Sequence, residues 1–101
     1  MTALDRVLQE IEYHIKLKQM ILEETQEEEQ REESLHALNM AKQLVRDTRI
    51  ELRKSKSHKA RLEISVWRVG HMSTAELIQA AVAAISDPVL KLKLADAGMM
   101  L

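Results

Sequence analysis

Apolar residues recur at helical spacing along the first quarter of the chain. When residues are placed 100° apart, leucine and isoleucine side chains share one stripe, flanked by Val7 and Ile21. The stripe consists of Leu4, Leu8, Ile11, Ile15 and Leu22. This pattern predicts an amphipathic helix from about Thr2 to Thr25.

A second amphipathic helix is predicted from about Arg31 to Lys54, with its apolar stripe beside a row of cations. The stripe consists of Leu38, Ala41, Val45 and Leu52. Residues 26–33 contain no apolar side chain and are the best place for the chain to reverse. One uninterrupted helix is the alternative, because Glu, Gln and Arg are good helix formers.

Two helices of this length would lie antiparallel, and each offers only one narrow apolar stripe. The hairpin therefore leaves apolar surface uncovered, and a second copy would close it into a four-helix bundle. We predict a helical hairpin and homodimerisation domain over residues 1–69. Its dimer and core residues would be Leu4, Leu8, Ile11, Ile15, Leu22, Leu38, Ala41, Val45 and Leu52.

The chain becomes more apolar after Gly70. Ser73 or Thr74 can cap one helix, and Asp87-Pro88 can start another, because Asp caps helices and Pro suits their first turn. Leucines at 90, 92 and 94 alternate with lysines, which would also suit a strand. Residues 70–101 are predicted to be a lid on the bundle, a second dimer contact, or a partner-binding segment that is partly disordered alone.

Composition supports an all-α fold. The chain is 46% hydrophobic, 31% charged and 2% aromatic, with two Gly and one Pro, as is typical of helical proteins. A further short helix is predicted from Ala60 to Trp67, and both Tyr13 and Trp67 are expected to be packing residues. The chain begins without a signal-peptide pattern and has no apolar run long enough for a membrane span, so a cytoplasmic protein is expected.

The sequence contains no motif typical of an enzyme. It has no cysteine, and its four histidines, at 14, 36, 58 and 71, are not at metal-ligand spacing. Gly-rich phosphate loops and nucleophile motifs are also missing. We therefore expect no catalysis, no cofactor and no metal.

The predicted second helix carries its cations on one edge. Arg31, Arg46, Arg49 and Arg53 fall within roughly 40° of Lys42, over about 33 Å of helix. Asp47 and Glu51 lie roughly 100–180° away from these cations, so we expect the basic edge not to be neutralised. Solubilising i,i+4 ion pairs are the alternative interpretation of such charges.

A straight row of cations suits a long polyanion. Double-stranded RNA can be bound along successive minor grooves with only cations and small polar groups, without reading sequence. Lys54 and Lys56 extend the row, and Asn39 could donate to phosphate or ribose oxygens. The hypothesis requires guanidinium groups that lie in line and are not neutralised by neighbouring acids.

Two segments resemble the nodavirus suppressors of RNA silencing known as B-two proteins. Val7-Leu8-Gln9-Glu10-Ile11, followed by His14-Ile15, is similar to the start of their first helix. Leu35-His36-Ala37-Leu38-Asn39-Met40-Ala41-Lys42 is similar to the core of their second helix, except that Met40 stands where the family has a basic residue. The resemblance covers about residues 4–65.

The resemblance implies a homodimeric, antiparallel four-helix bundle that binds double-stranded RNA through its second helix. Such proteins shield viral duplexes from Dicer and keep small interfering RNAs from being loaded. The family resemblance adds Dicer or the viral polymerase as protein partners of the tail. The expected RNA-binding residues are Asn39, Lys42, Arg46, Arg49, Arg53, Lys54 and Lys56.

The alternative is a helical protein-interaction module, such as a secretion co-chaperone or a coiled-coil adaptor, with no nucleic-acid role. In that case Leu4 to Leu22 and Leu77 to Ile85 would bind a partner helix, and the cations would only aid solubility.

Overall fold

Helices account for all the regular secondary structure in the computed structural model, which describes residues 2–25, 27–55 and 62–101. Within these ranges the helices are α1 (Ala3–Thr25), α2 (Glu28–Lys54), α3 (Val66–Val69), α4 (Thr74–Ala84) and α5 (Pro88–Met99). The all-α prediction is confirmed. None of the helices in these ranges is long and apolar enough to cross a membrane.

The first two helices form an antiparallel hairpin. Gln19 of α1 donates to the side-chain oxygen of Asn39 in α2 at 2.7 Å, which only a reversal between the helices allows. Glu27 is the extended residue before α2, so the second helix begins three residues earlier than predicted. Glu28 and Glu29 lie in its first turn, where carboxylates stabilise the positive end of the helix dipole. The single-helix alternative is wrong.

The tail completes a four-helix bundle within one chain. Helix α4 packs on α1, while α5 packs on both α2 and α4, so these four helices enclose one core. The core contains Leu4, Leu8, Ile11, Ile15, Leu38, Ala41 and Val45 from the hairpin, and Leu77, Ala81, Ile85, Leu94 and Ala97 from the tail. Leu22 and Leu52 are partly buried against it.

This arrangement corrects the sequence argument for a dimer. The apolar stripes of the hairpin were expected to need a second copy, but the chain covers them with its own α4 and α5. Leu4, Leu8 and Val45 are buried in the single chain and have no surface left for a subunit contact. Of the three interpretations of the tail, the lid is the one that the structure shows.

The tail helices begin at the predicted caps. The hydroxyl of Ser73 accepts from the backbone N–H of Glu76, whose carboxylate accepts from the backbone N–H of Ser73, which is a complete capping box. Asp87 accepts from the backbone N–H groups of Val89 and Leu90, immediately before Pro88 enters the first turn. The strand alternative for residues 90–94 is therefore wrong.

The short helix before Gly70 differs from its prediction. The predicted start, Ala60, falls in positions 56–61, which lie outside the described residues. Residues 62–65 are not helical, and α3 spans only Val66–Val69. Ser65 caps α3 by accepting from the backbone N–H of Arg68 at 3.2 Å. Trp67 is 72% exposed and Tyr13 54% exposed, so neither is the core-packing residue that was expected.

Candidate nucleic-acid interface

The expected RNA-binding cations lie along the edge where α2 meets α1. Three of the polar pairs that cross this contact join side chains that are seven residues apart on each helix. The pairs are Asp5 with Arg53, Glu12 with Arg46, and Gln19 with Asn39. Seven residues are nearly two full turns, so each helix presents its three side chains along one line. We call this line the α1–α2 edge.

Two arginines share one carboxylate at the middle of the edge. The Nε–H of Arg46 donates to Oε1 of Glu12 at 3.3 Å, and Nη1 of Arg49 donates to Oε2 of the same residue at 2.7 Å. The side chain of Arg49 is 16% exposed, whereas that of Arg46 is 54% exposed. Arg49 therefore holds α2 against α1, while Arg46 faces outward.

The edge is more loosely paired at its Asp5–Arg53 end than in the middle. Nε of Arg53 lies 4.0 Å from the Asp5 carboxylate, and the Arg53 side chain is 60% exposed. At the hairpin end, Nη1 of Arg31 donates to the backbone carbonyl of Glu23 at 3.2 Å. Lys42 is partly buried in the middle of the row.

The remaining predicted contacts fall at the margins of the edge. Asn39 already accepts a hydrogen bond from Gln19, which leaves its amide N–H groups as the donors for a ligand. Lys54 is exposed in the last helical turn of α2. Lys56 lies outside the described residues.

The expectation of an un-neutralised basic edge is wrong. Asp47 and Glu51 of α2 lie on other sides of that helix, but Asp5 and Glu12 approach the arginines from α1. The sequence argument placed charges around α2 alone, so it missed the carboxylates that α1 supplies. The signal that could have found it is the seven-residue spacing of Asp5, Glu12 and Gln19 on one edge of α1, which matches the spacing of Asn39, Arg46 and Arg53 on α2.

The edge nevertheless keeps an excess of positive charge. Two carboxylates, from Asp5 and Glu12, lie among four cations, from Lys42, Arg46, Arg49 and Arg53. Exposed ion pairs typically contribute only about 0–1 kcal/mol, so an exposed guanidinium exchanges a carboxylate for a phosphate at little cost. Arg46 and Arg53 meet that condition, whereas Arg49 does not.

Two of the histidines, His14 and His71, make contacts with other side chains of the chain. His14 bridges two helices, with Nδ1 2.9 Å from the hydroxyl of Thr74 in α4 and Nε2 3.5 Å from the Glu10 carboxylate. His71 stacks on Trp67 with ring centroids 4.2 Å apart. In the ranges that the structure covers, no three His, Cys, Asp or Glu side chains are grouped so that they could hold a metal ion.

Comparison of the chain with protein-family models, with curated proteins and with solved structures found no match. The resemblance to the nodavirus suppressors therefore stays a prediction.

Proposed function

We propose that the protein binds double-stranded RNA without sequence preference through the α1–α2 edge, and that it thereby suppresses RNA interference in the cytoplasm of an infected cell. Binding would shield long duplexes from Dicer and keep small interfering RNAs from being loaded. The proposal needs no catalytic group and no cofactor.

The observation that carries the proposal is the placement of Arg46 and Arg53. Both project from α2 on the same edge, about 10.5 Å apart along the helix, and both side chains are more than half exposed. They would hold phosphates by exchanging their weak carboxylate contacts for stronger charge-assisted bonds. Lys42 and Lys54 would extend the cationic track on either side.

The roles of the other predicted contacts follow from their surroundings. Asn39 offers amide donors to a ribose or phosphate oxygen beside Lys42. Arg49 is assigned to the hairpin rather than to RNA, because its guanidinium is largely buried and paired with Glu12. The sequence hypothesis required guanidinium groups that neighbouring acids do not neutralise, and Arg46 and Arg53 do not meet that condition. The proposal therefore rests on exchange of their carboxylate contacts for phosphate, and on a shorter list of residues than the sequence predicted.

The decisive experiment replaces Arg46 and Arg53 together by Gln. Both side chains are exposed, so helicity and unfolding temperature should change little. Affinity for double-stranded RNA should fall uniformly across sequences, and the slope of log affinity against log salt should flatten by about one per lost phosphate contact. Filter binding or gel shift at several salt concentrations measures both quantities.

The matched control replaces Lys91 and Lys93 of α5 by Gln. It removes the same charge from a helix that does not form the edge. Affinity should stay within a factor of about two, because these lysines do not contribute to the α1–α2 edge and salt screens their effect on it. If both variants lost the same amount of affinity for double-stranded RNA, binding would not depend on the cations of the α1–α2 edge.

A cleavage assay tests the biological half of the proposal. The wild-type protein should protect a long RNA duplex from Dicer in proportion to its occupancy, and the Arg46/Arg53 variant should not. If the variant protected the duplex equally well at the same concentration, protection from Dicer would not depend on RNA binding by this edge.

Exposed apolar side chains favour a second candidate, the helical protein-interaction module. Leu4 and Leu77, which the sequence assigned to a partner helix, are buried in the bundle and cannot serve. The outward-facing Tyr13, Leu17 and Met20 of α1 could. If the protein is such a module, the wild type, the Arg46/Arg53 variant and the Lys91/Lys93 variant should all bind duplex RNA equally weakly.

A further inference from the structure

The two tail helices leave an open groove between them. Its volume is about 600 Å³, within the range of small-molecule sites, and most of its lining is aliphatic. Gly98 and Ala95 of α5 carry almost no side chain, so the protein itself does not fill the space beside them. We call this space the α4–α5 groove. Its aliphatic lining includes Ala75, Ile78, Val82, Ala83, Ala95 and Met99.

The groove has a defined direction because α4 and α5 run antiparallel. Ile78 of α4 lies against Gly98 of α5. Thr74, one turn before Ile78, therefore lies at the same end of the groove as Leu101, which follows α5. Along α4 the lining extends from Thr74 to Ala83, which is about 13.5 Å at a rise of 1.5 Å per residue. The groove is long enough to take an extended chain.

Polar side chains gather at the Thr74 end of the groove. Nζ of Lys18, from α1, donates to the backbone carbonyl of Leu101 at 3.4 Å. The hydroxyl of Thr74 lies 2.9 Å from Nδ1 of His14, one turn before Lys18 on α1. The remaining polar side chain of the described lining, Gln79, is exposed, and the opposite end is aliphatic. The groove is therefore amphipathic along its length.

Lys18 is a cation without a counter-ion in the described part of the bundle. It is partly buried and forms no ion pair with any residue that the structure describes. The described lining of the groove contains no acidic side chain. The bond to the Leu101 carbonyl uses one of three ammonium N–H donors, so two remain. Because buried charges in proteins are normally paired, this ammonium favours an anionic ligand.

We propose that the α4–α5 groove binds a free medium-chain fatty acid. The carboxylate accepts from the Lys18 ammonium at the polar end, and the alkyl chain lies along α4 towards Val82 and Ala95. Tetrahedral C–C bonds of about 1.5 Å advance an extended alkyl chain by roughly 1.3 Å per carbon, so a groove of about 13.5 Å takes about ten carbons. Decanoate is therefore the matched ligand.

Lys18 also borders a second and smaller cavity, which lies towards α2. Ala37 and Leu38 of α2 form part of its lining, and its volume is about 320 Å³. It shares Lys18 and Leu101 with the groove but has about half the volume. Because the two cavities meet at the same cation, blocking each one separately identifies where the alkyl chain lies.

Isothermal titration calorimetry tests the site with the full chain and free fatty acids. Decanoate should bind saturably, with one site per chain. Affinity should rise about fourfold for each methylene from hexanoate to decanoate, as burial of one CH₂ group requires, and should level off for longer acids. Affinity that does not depend on chain length, or the absence of saturable decanoate binding, would overturn the proposal.

Lys18→Gln tests the contact with the carboxylate. Affinity for decanoate should fall about tenfold or more, because a charged hydrogen bond is lost, whereas affinity for uncharged decanol should not change. Lys16→Gln removes the same charge from an exposed position two residues earlier on α1, and should leave decanoate binding unchanged. Equal losses for decanoate and decanol in Lys18→Gln would contradict the carboxylate contact and overturn the assignment to a fatty acid.

Filling variants locate the alkyl chain. Ala95→Phe places a ring in the α4–α5 groove and should reduce decanoate affinity about tenfold or more, because several methylenes lose their place. Ala83→Phe fills the same groove from an exposed position, so it gives the same test if circular dichroism shows that the first variant is unfolded. Ala37→Phe fills the smaller cavity and should leave decanoate binding unchanged. Loss of binding in Ala37→Phe alone would overturn the assignment to the α4–α5 groove.

The groove is separate from the proposed RNA contacts. None of the described residues that line it belongs to α2, and the titrations contain no RNA. Failure to bind decanoate would therefore leave the α1–α2 edge untouched, and an unchanged RNA affinity in the Arg46/Arg53 variant would leave the groove untouched.

Discussion

Gly98 of α5 lies directly against Ile78 of α4, so closely that a Cβ built on the glycine would come within 2.9 Å of the isoleucine Cγ2. Ala81 and Ala97 are also buried in these two helices. Small residues allow the two tail helices to approach each other, and this approach lets α4 and α5 act together as one cover for the hairpin.

Gly98→Ala should therefore destabilise the protein, although alanine normally stabilises a helix relative to glycine by roughly 0.5–1 kcal/mol. The new methyl group overlaps a buried β-branched side chain whose χ1 angle is stiff, so overpacking of about 1–3 kcal/mol should exceed the helix gain. Urea unfolding measures the difference.

Gly70→Ala is the matched control for this change. Its Cβ would meet only the Trp67 carbonyl oxygen at 3.6 Å and the Val66 carbonyl at 4.0 Å, which are ordinary contacts. The φ of Gly70 is −67°, which any residue adopts. Stability should be unchanged or slightly raised, and equal losses at positions 98 and 70 would contradict the close approach of α4 and α5.

Leu94→Ala should lower the free energy of unfolding by about 2–5 kcal/mol, because Leu94 is fully buried and its loss leaves a cavity between α5 and the rest of the core. Leu92→Ala, two residues earlier on the same helix, should cost less than about 1 kcal/mol, because Leu92 is 63% exposed. Chemical denaturation should show one cooperative transition in both variants. A separate early transition in Leu94→Ala would mean that the tail folds as an independent unit.

The helices could be predicted from the sequence because their signals are local. The capping residue Ser73 with Glu76 three positions later, and the Asp87-Pro88 pair, each specify a helix start without reference to the rest of the molecule. Periodicity placed α1 and α2 to within three residues at either end. Only the four-residue α3 departs strongly from its predicted span.

What covers the apolar stripes could not be predicted, because burial of apolar area is non-directional. Burial against Leu94 of the same chain stabilises Leu38 and Val45 as much as burial against a second hairpin would. The sequence pattern of the stripe is the same whichever partner covers it. The pairing of Glu12 with Arg46 and Arg49 was missed for a related reason. It depends on the register of α1 against α2, which is a property of the packed hairpin and not of either helix.

Ser73→Ala should destabilise the protein by about 1 kcal/mol, since the hydroxyl satisfies the N–H of Glu76 at 3.2 Å in the first turn of α4. Ser73→Asp should retain most of the stability, because a carboxylate can accept the same hydrogen bond and favours the helix dipole. Thermal unfolding of the three proteins gives the comparison. If the alanine and aspartate variants were equally destabilised, the capping box would not be the cause.

Glu12→Gln should separate the two roles of the α1–α2 edge. Loss of the carboxylate leaves the largely buried Arg49 without its counter-charge, which should lower the free energy of unfolding by about 1–3 kcal/mol. The same change frees Arg46 and raises the net positive charge of the edge, so affinity for double-stranded RNA should rise several-fold and its salt dependence should steepen. Glu51→Gln changes the net charge equally at an exposed position on the other side of α2, and should alter neither property appreciably. Opposite signs for stability and affinity in one variant cannot arise from general unfolding. An affinity gain in Glu51→Gln as large as that in Glu12→Gln would mean that overall charge, and not this edge, governs binding.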